Sequence, residues 1–240
     1  MGPWRNHVTH SEEQAMSTIG FRVFPSPPRP AERLLKAFAD LPTSNISDNM
    51  LRHYGAGAQL RPYHQGGKLV GPAFTVKTRP GDNLLTHKAI DMAAPGDVIL
   101  VDAGGALDHA IIGEIMTSHA KKRGVAGMII DGAIRDLDAI AASDFPVYAC
   151  GVTHRGPYKD GPGEINVQIS IAGMVVNPGD IIVADADGVI AISQAEAEQV
   201  IALTIAQKNK EEATLAAIAA GKVDRSWVDK LLREKGCTLP

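Results

Sequence analysis

The stretch Gly127-Met128-Ile129-Ile130-Asp131-Gly132-Ala133-Ile134-Arg135-Asp136 carries the clearest chemistry in this sequence. An apolar run delivers polar groups at its end, and ligands of open α/β sheets sit at the C-terminal ends of strands. Gly132 permits an unusual backbone angle or a close backbone approach. Arg135 can grip a carboxylate through two parallel hydrogen bonds. Asp136 can ligate Mg²⁺ or Mn²⁺ while water and substrate complete the octahedron. In extended backbone these two neighbours diverge, which argues against a surface ion pair between them. Spacing alone leaves the catalytic reading level with a structural loop.

A second set, Gly113-Glu114-Ile115-Met116, falls near the start of a helix. Free N–H groups at a helix N-terminus bind carboxylates and oxyanions, and Gly113 lets an anion approach. On pattern alone, Gly113 reads better as a position of close helix packing.

Other chemistries lack their residues. Gly55-Ala56-Gly57-Ala58-Gln59-Leu60 has no third glycine of a dinucleotide loop and follows no clear strand. No P-loop, His-Glu-x-x-His or Gly-x-Ser-x-Gly pattern occurs. The eight histidines show no metal-ligand spacing, and His109 and His119 read as surface or helix-packing residues. Lys77 could form a Schiff base if buried, but its strand-like setting lets its head reach solvent. The only cysteines, Cys150 and Cys237, cannot make a zinc knuckle or a disulfide framework.

The elements that must position these residues alternate. Ala31–Ala39 has helical spacing, and the capping-rich run from Thr43 to Asp48 precedes a short helix with Met50 and Leu51. Leu69–Val76 reads as a strand and Leu84–Ala93 as a helix. Val98–Asp102 is a strand that Gly104-Gly105 ends. A helix then carries Ile111, Ile112, Ile115, Met116 and Ala120, and Val125–Ile130 is a buried strand ending at Asp131. This alternation predicts an α/β fold. Short strands follow from Pro146 to Ala184, and a long Ala-rich helix spans Gln194 to Ala220. Pro95-Gly96-Asp97 and Pro178-Gly179-Asp180 echo each other as a shared turn solution rather than a duplicated site.

Composition limits the partners. The chain has 240 residues, of which 45% are hydrophobic and 5% aromatic, enough for one large core. Net charge is −3 and no long basic block occurs, so no nucleic-acid partner is expected. Lys121-Lys122-Arg123 before Gly124 reads as a helix C-terminus complementing its dipole. No run of ~18 apolar residues is present and the N-terminus has no secretory core, so a cytoplasmic protein without a membrane partner is expected.

From Thr43 to Gly221 the chain resembles the class II pyruvate aldolases of 4-hydroxy-4-methyl-2-oxoglutarate and 4-carboxy-4-hydroxy-2-oxoadipate, which share a fold with the regulator of ribonuclease E activity. The ordered set Val70-Gly71-Pro72-Ala73, Gly81-Asp82-Asn83, Pro95-Gly96-Asp97-Val98, Gly113-Glu114, Asp131–Asp136, Phe145-Pro146-Val147, Pro178-Gly179-Asp180 and Ala184–Val189 carries the likeness. Gln168, where proline is usual, and Met116, where leucine is usual, depart from it.

The resemblance implies a swivelling β/β/α fold with a long C-terminal helix, in a homotrimer or homohexamer. Outside the likeness, the polar, proline-rich residues 1–30 read as an arm, followed by an aldolase-like α/β domain (31–221) and a tail (222–240). The resemblance also implies Asp136 as the one direct protein ligand of Mg²⁺ or Mn²⁺ and Arg135 as the contact to the pyruvyl oxygen. The N–H groups around Gly113, Ile115 and Met116 form the implied carboxylate cradle. Glu114 and Asp131 are implied to orient water at the ion, and Glu211, or less clearly Glu212, to reach in from a neighbouring subunit. The implied reaction is retro-aldol cleavage of a 4-hydroxy-2-oxo acid to pyruvate and a 2-oxo acid, with oxaloacetate decarboxylation through the same enolate. The rival is a non-catalytic ribonuclease-regulating ring, whose members tend to lack the acid after the arginine. This chain keeps Arg135-Asp136.

Overall fold

The protein, described here as a computed structural model, is laid out over residues 18–239. The first 17 positions of the expected arm lie outside the described residues.

Four parallel strands form the centre: β3 (Leu69–Thr78), β4 (Val98–Ile112), β5 (Gly127–Ile134) and β6 (Val147–Val152). They are covered on both faces, so they read as continuous apolar runs rather than alternating ones. Every residue of β5 is buried, as are Val98–Val101 of β4. Two helices, α3 (Leu84–Met92) and α4 (Glu114–Lys122), cross between consecutive strands on one face. Their Leu85, Ile90 and Met116 pack on Phe74, Ile99 and Met128.

On the other face lies the hairpin of β8 (Ile169–Ile171) and β9 (Met174–Val176), with Ile129 and Tyr148 in the core between. A second hairpin, β10 (Ile181–Asp185) and β11 (Gly188–Ile192), pairs with the start of β3. Its outer face is covered by α1 (Glu32–Ala39), α2 (Thr43–Asn49) and the start of the long α6 (Ala197–Ala219). The outcome is the expected mixed α/β architecture with a long C-terminal helix. The segment before α1 is tied to the body: β1 (Phe21–Val23) pairs in parallel with β7 (Gly163–Ile165). No helix among the described residues is long and apolar enough to cross a membrane.

Two expectations need correcting. The run from Thr43 to Asp48 does not precede a helix with Met50 and Leu51 but is itself α2, which ends at Asn49. The other concerns β4. Gly104-Gly105 does not end β4. Both glycines take positive φ, 67° and 69°, and the register against β5 slips between Asp102 and Ala106. They kink and bulge the strand, which then continues to Ile112. The helix expected to carry Ile111 and Ile112 therefore starts later, at Glu114, and those two isoleucines end the strand. The echoed turns behave as one solution used twice. Asp97 accepts the Ala94 N–H and Asp180 accepts the Asn177 N–H, both at 2.8 Å.

Candidate active site

Two neighbouring strand ends build the site. Ile112 of β4 pairs with Ile134 of β5, and the Arg135 N–H bonds to the Ile112 carbonyl at 3.0 Å. Gly113 and α4 continue from one end. Arg135, Asp136 and the short α5 (Leu137–Ala141) continue from the other. The two sets singled out in the sequence thus meet because their strands are adjacent.

Asp136 adopts the left-handed conformation, φ 58° and ψ 45°. Aspartate is among the few residues that tolerate it. The turn folds its carboxylate back onto the start of α4, where Oδ2 accepts the Glu114 N–H at 3.0 Å. Arg135 Nε lies 3.7 Å from the same oxygen. The neighbours therefore converge, contrary to the extended-backbone expectation. Both side chains are about 40% exposed, at 41% and 42%, so the pair adds little stability.

Gly113 is required here, and by close approach rather than by backbone angle. A Cβ at this position would sit 2.3 Å from Asp136 Oδ2. The anion that Gly113 admits to the helix end is thus the chain's own carboxylate. Of the expected cradle, the Met116 N–H bonds to the Gly113 carbonyl at 3.1 Å. The Ile115 N–H makes no hydrogen bond among the described residues and remains available to a ligand.

A cavity of about 180 Å³ opens beside this junction. Arg135, Asp136 and Gly113 line it, with Ile111, Ile112, Ile115 and Met116 as its apolar wall. Asn83, His87, Pro157 and Lys159 complete it. Burial first, then the charge of Lys159, hold His87 below the usual imidazole range, so it is neutral at neutral pH. Asn83 and His87 sit one turn apart on one face of α3. That spacing was readable in the sequence, where Gly81-Asp82-Asn83 entered only as part of the likeness. Nothing local marks Lys159.

Other expected site residues lie elsewhere within the single chain. Met128 and Ile130 face the helix-side core and Ile129 the opposite one, so Asp131 shares the Ile129 face. There Asp131 accepts a 3.3 Å hydrogen bond from the Cys150 thiol, which burial and this carboxylate push up to about 12. The Glu114 side chain lines a separate groove with Thr117 and Lys121. Glu211 accepts bonds from Asn45 at 2.7 Å and Gln207 at 2.9 Å on the outer helices. Glu212 lies 4.0 Å from Lys208. Lys77 is 55% exposed and pairs with Asp102 at 2.9 Å, which leaves no buried amine for a Schiff base there.

Asp136 Oδ1 makes no hydrogen bond among the described residues. No three His, Cys, Asp or Glu side chains among the described residues gather as a metal cage. The residues present suit a hard ion held through one carboxylate, with water and substrate as its other oxygens.

Asp82 holds the cavity wall together. Its fully buried carboxylate accepts the N–H groups of Leu84, Asp160 and Gly161 and an Arg79 contact at 3.2 Å. It thereby ties the start of α3 to the segment bearing Lys159. Burial alone would raise this carboxyl, but the three N–H bonds and Arg79 outweigh it and hold it below the ordinary 3.8. Its folded value lies below its unfolded one, so its stabilisation is present above pH 3.8 and fades as pH falls through the folded value. Asp82→Asn should cost roughly 2–3 kcal/mol at pH 7 and flatten the acid side of the stability profile. Denaturant midpoints across pH check this; an unchanged midpoint at pH 7 would refute the clamp.

Fold and site together define an α/β protein with a cleft at the ends of adjacent parallel strands. The chain belongs to the RraA-like family, whose model (Aldolase/RraA) matches residues 43–191. A relative from Halalkalibacterium halodurans, named "Putative 4-hydroxy-4-methyl-2-oxoglutarate aldolase", is 39% identical over 81% of this chain and 93% of its own length. A relative of the same name from Ectopseudomonas mendocina is 36% identical over 62% of this chain and 86% of its own. Among solved structures, an uncharacterized Pseudomonas syringae protein superposes with TM-score 0.73 at 28% identity, covering 82% of this chain and 97% of its own. The RNA-processing inhibitor RraA from Thermus thermophilis gives 0.59 at 27% identity, covering 64% and 93%.

Proposed function

We propose that this chain is a divalent-metal-dependent pyruvate aldolase. It splits a 4-hydroxy-2-oxo di- or tricarboxylic acid, such as 4-hydroxy-4-methyl-2-oxoglutarate or 4-carboxy-4-hydroxy-2-oxoadipate, into pyruvate and a second 2-oxo acid. Oxaloacetate decarboxylation is its side activity. The observation that carries this reading is the junction that lays Asp136 on the α4 N-terminus, beside Arg135, at the mouth of one cavity. The names of the two aldolase-like relatives support it.

Asp136 would hold Mg²⁺ or Mn²⁺, which would supply Lewis-acid charge where negative charge grows on the substrate. Arg135 presents a second positive charge to the C2 oxygen, where negative charge grows. The Ile115 N–H at the helix end receives the C1 carboxylate. Ile111, Ile112 and Met116 exclude water and so strengthen these interactions. Lys159 meets the distal carboxylate, while neutral His87 beside it adds no further charge. As the C3–C4 bond breaks, its electrons enter the C2–C3 enolate, the C4 hydroxyl gives its proton to a water molecule acting as base, and C4 becomes a carbonyl. Protonation of C3 then gives pyruvate. Loss of CO₂ from oxaloacetate reaches the same enolate.

Among the described residues, Asp136 is the only carboxylate lining the cavity of the single chain. A trimer or hexamer that brings Glu211 of a neighbouring copy to it completes the proposed site. The test is pyruvate release from a panel of 4-hydroxy-2-oxo acids and oxaloacetate, with Mg²⁺ or Mn²⁺ added or chelated, alongside light scattering. Metal-dependent pyruvate release by particles of three or six chains is expected. Failure of every 2-oxo acid would replace this reading with a non-catalytic binding ring, which the likeness to the RNA-processing inhibitor favours.

A further inference from the structure

Lys159 lines the cavity, yet its ammonium makes no hydrogen bond or ion pair among the described residues. Its position therefore depends on the backbone that carries it. One end of that backbone is clamped. The Tyr158 N–H bonds to the Gly81 carbonyl at 2.8 Å, and Asp82 holds the N–H groups of Asp160 and Gly161. The other end runs into β7, which is three residues long and has β3 on one side and β1 on the other. β1 belongs to the segment before α1, ahead of the stretch that the family model matches.

Three contacts seat this segment where the Lys159 loop leaves the cavity. The Phe24 N–H bonds to the Ile165 carbonyl at 3.1 Å. Glu164 Oε1 accepts the Gly20 N–H at 3.2 Å and the Arg22 guanidinium. The Phe21 ring lies on Gly161, two residues from Lys159: a Cβ on Gly161 would be 3.1 Å from Phe21 Cε2. Phe21 is 53% exposed and lies outside the buried cores, so truncating it leaves the interior intact.

We infer that Phe21 is a positioning residue for Lys159, and that the N-terminal segment thereby sets the affinity of the cavity for a substrate's second carboxylate. The inference rests on the aldolase reading and adds a determinant of substrate affinity outside the cavity. A long side chain loses rotamer freedom when it meets a carboxylate. A loop that opens locally adds its own ordering to that cost at each binding event. The ring on Gly161 and the β1–β7 pairing remove the second cost by holding the loop closed beforehand. The contact is the same in substrate and transition state, so its effect falls on KM rather than kcat. Pyruvate has one carboxylate, received at the α4 end of the cavity, and its binding does not depend on Lys159.

The experiment uses the full chain with Phe21→Ala and three readouts: amide hydrogen exchange over residues 157–165, steady-state kinetics with 4-hydroxy-4-methyl-2-oxoglutarate, and product inhibition by pyruvate. Exchange should quicken in that stretch alone, and KM should rise about fivefold with kcat and the pyruvate Ki near wild type. Phe21→Leu, which keeps an apolar cover on Gly161, should recover most of the loss. Glu164→Gln, which weakens the Arg22 contact and leaves Phe21 in place, should show the same split more weakly. In a Lys159→Ala background, Phe21→Ala should add nothing to KM. Unchanged exchange at 157–165 would overturn the inference, whatever the kinetics. A pyruvate Ki that rises with KM, or additive effects of the two substitutions, would show general loosening and overturn it while sparing the aldolase reading. Absence of turnover in the wild type would instead remove the aldolase reading, and the role of Phe21 with it.

Discussion

Asp136→Asn should lose divalent-ion affinity and pyruvate release together, each by on the order of 100-fold or more. The substitution is clean for a structural reason. Asp136 holds φ at 58°, and asparagine tolerates the left-handed region as aspartate does. An asparagine with its oxygen toward α4 also keeps an acceptor for the Glu114 N–H, which now bonds to Oδ2 at 3.0 Å. What disappears is the negative charge and the free Oδ1. Stability should therefore move little while Mg²⁺ or Mn²⁺ titrations weaken. Both aldol cleavage and oxaloacetate decarboxylation should fall, because they share the pyruvate enolate. Steady-state pyruvate production from each substrate, with metal titration and thermal melts of the variant, reads all three. Near-wild-type turnover by Asp136→Asn after chelation would show that this junction is not the catalytic one.

Arg135→Lys separates the reaction from ion binding. Lysine keeps one positive charge but loses the planar fork that can meet an oxyanion with two N–H groups. Arg135 also packs closely on the junction: its Cγ lies 3.0 Å from where a Gly113 Cβ would be. A flexible ammonium in that space reaches the substrate oxygen less directly. Losing one preorganised contact to a developing oxyanion typically costs about 10²–10³ in rate. The expected signature is a fall of that size in kcat with metal affinity largely retained, the reverse emphasis of Asp136→Asn. The Arg135 backbone N–H bonds to Ile112 whatever the side chain, so the strand junction should persist. A variant that turns over normally would remove Arg135 from the mechanism. One that loses metal binding as severely as Asp136→Asn would show that Arg135 serves the ion site rather than the oxyanion.

The rest of the molecule frames these expectations. The long helix α6 reaches Ala219, and its Glu211 is held by Asn45 of α2 rather than at the cavity of its own chain. A site needing that carboxylate needs a second copy, and dilution should then cost activity. Asp131 and Asp102 face each other across β5 and β4, and each has local partners, Cys150 for one and Lys77 for the other. Their place on the face away from α3 and α4 separates them from the Asp136 junction.

Local composition was enough for the elements whose burial leaves a continuous signal. Leu69–Val76, Val98–Val101 and Val125–Ile130 read as strands because sheets covered on both faces are apolar at every position. The helices expected at 31–39, 84–93 and 194–220 appear as Glu32–Ala39, Leu84–Met92 and Ala197–Ala219. Residue type also marked Gly113, Arg135 and Asp136 as candidates, since few residues suit an anion approach, a fork or a lone carboxylate ligand. Their assembly was not legible. The strand rule fails at Gly104-Gly105, because a glycine pair reads as a break unless a partner strand holds the chain beyond it. The meeting of Gly113 with Asp136 depends on Ile112 pairing with Ile134 and on one left-handed residue, both set by long-range packing. Asn83 shows the same limit. Locally it is a helix cap, and only the Ile111 carbonyl and Met116 from later elements turn it round and leave its oxygen facing no partner.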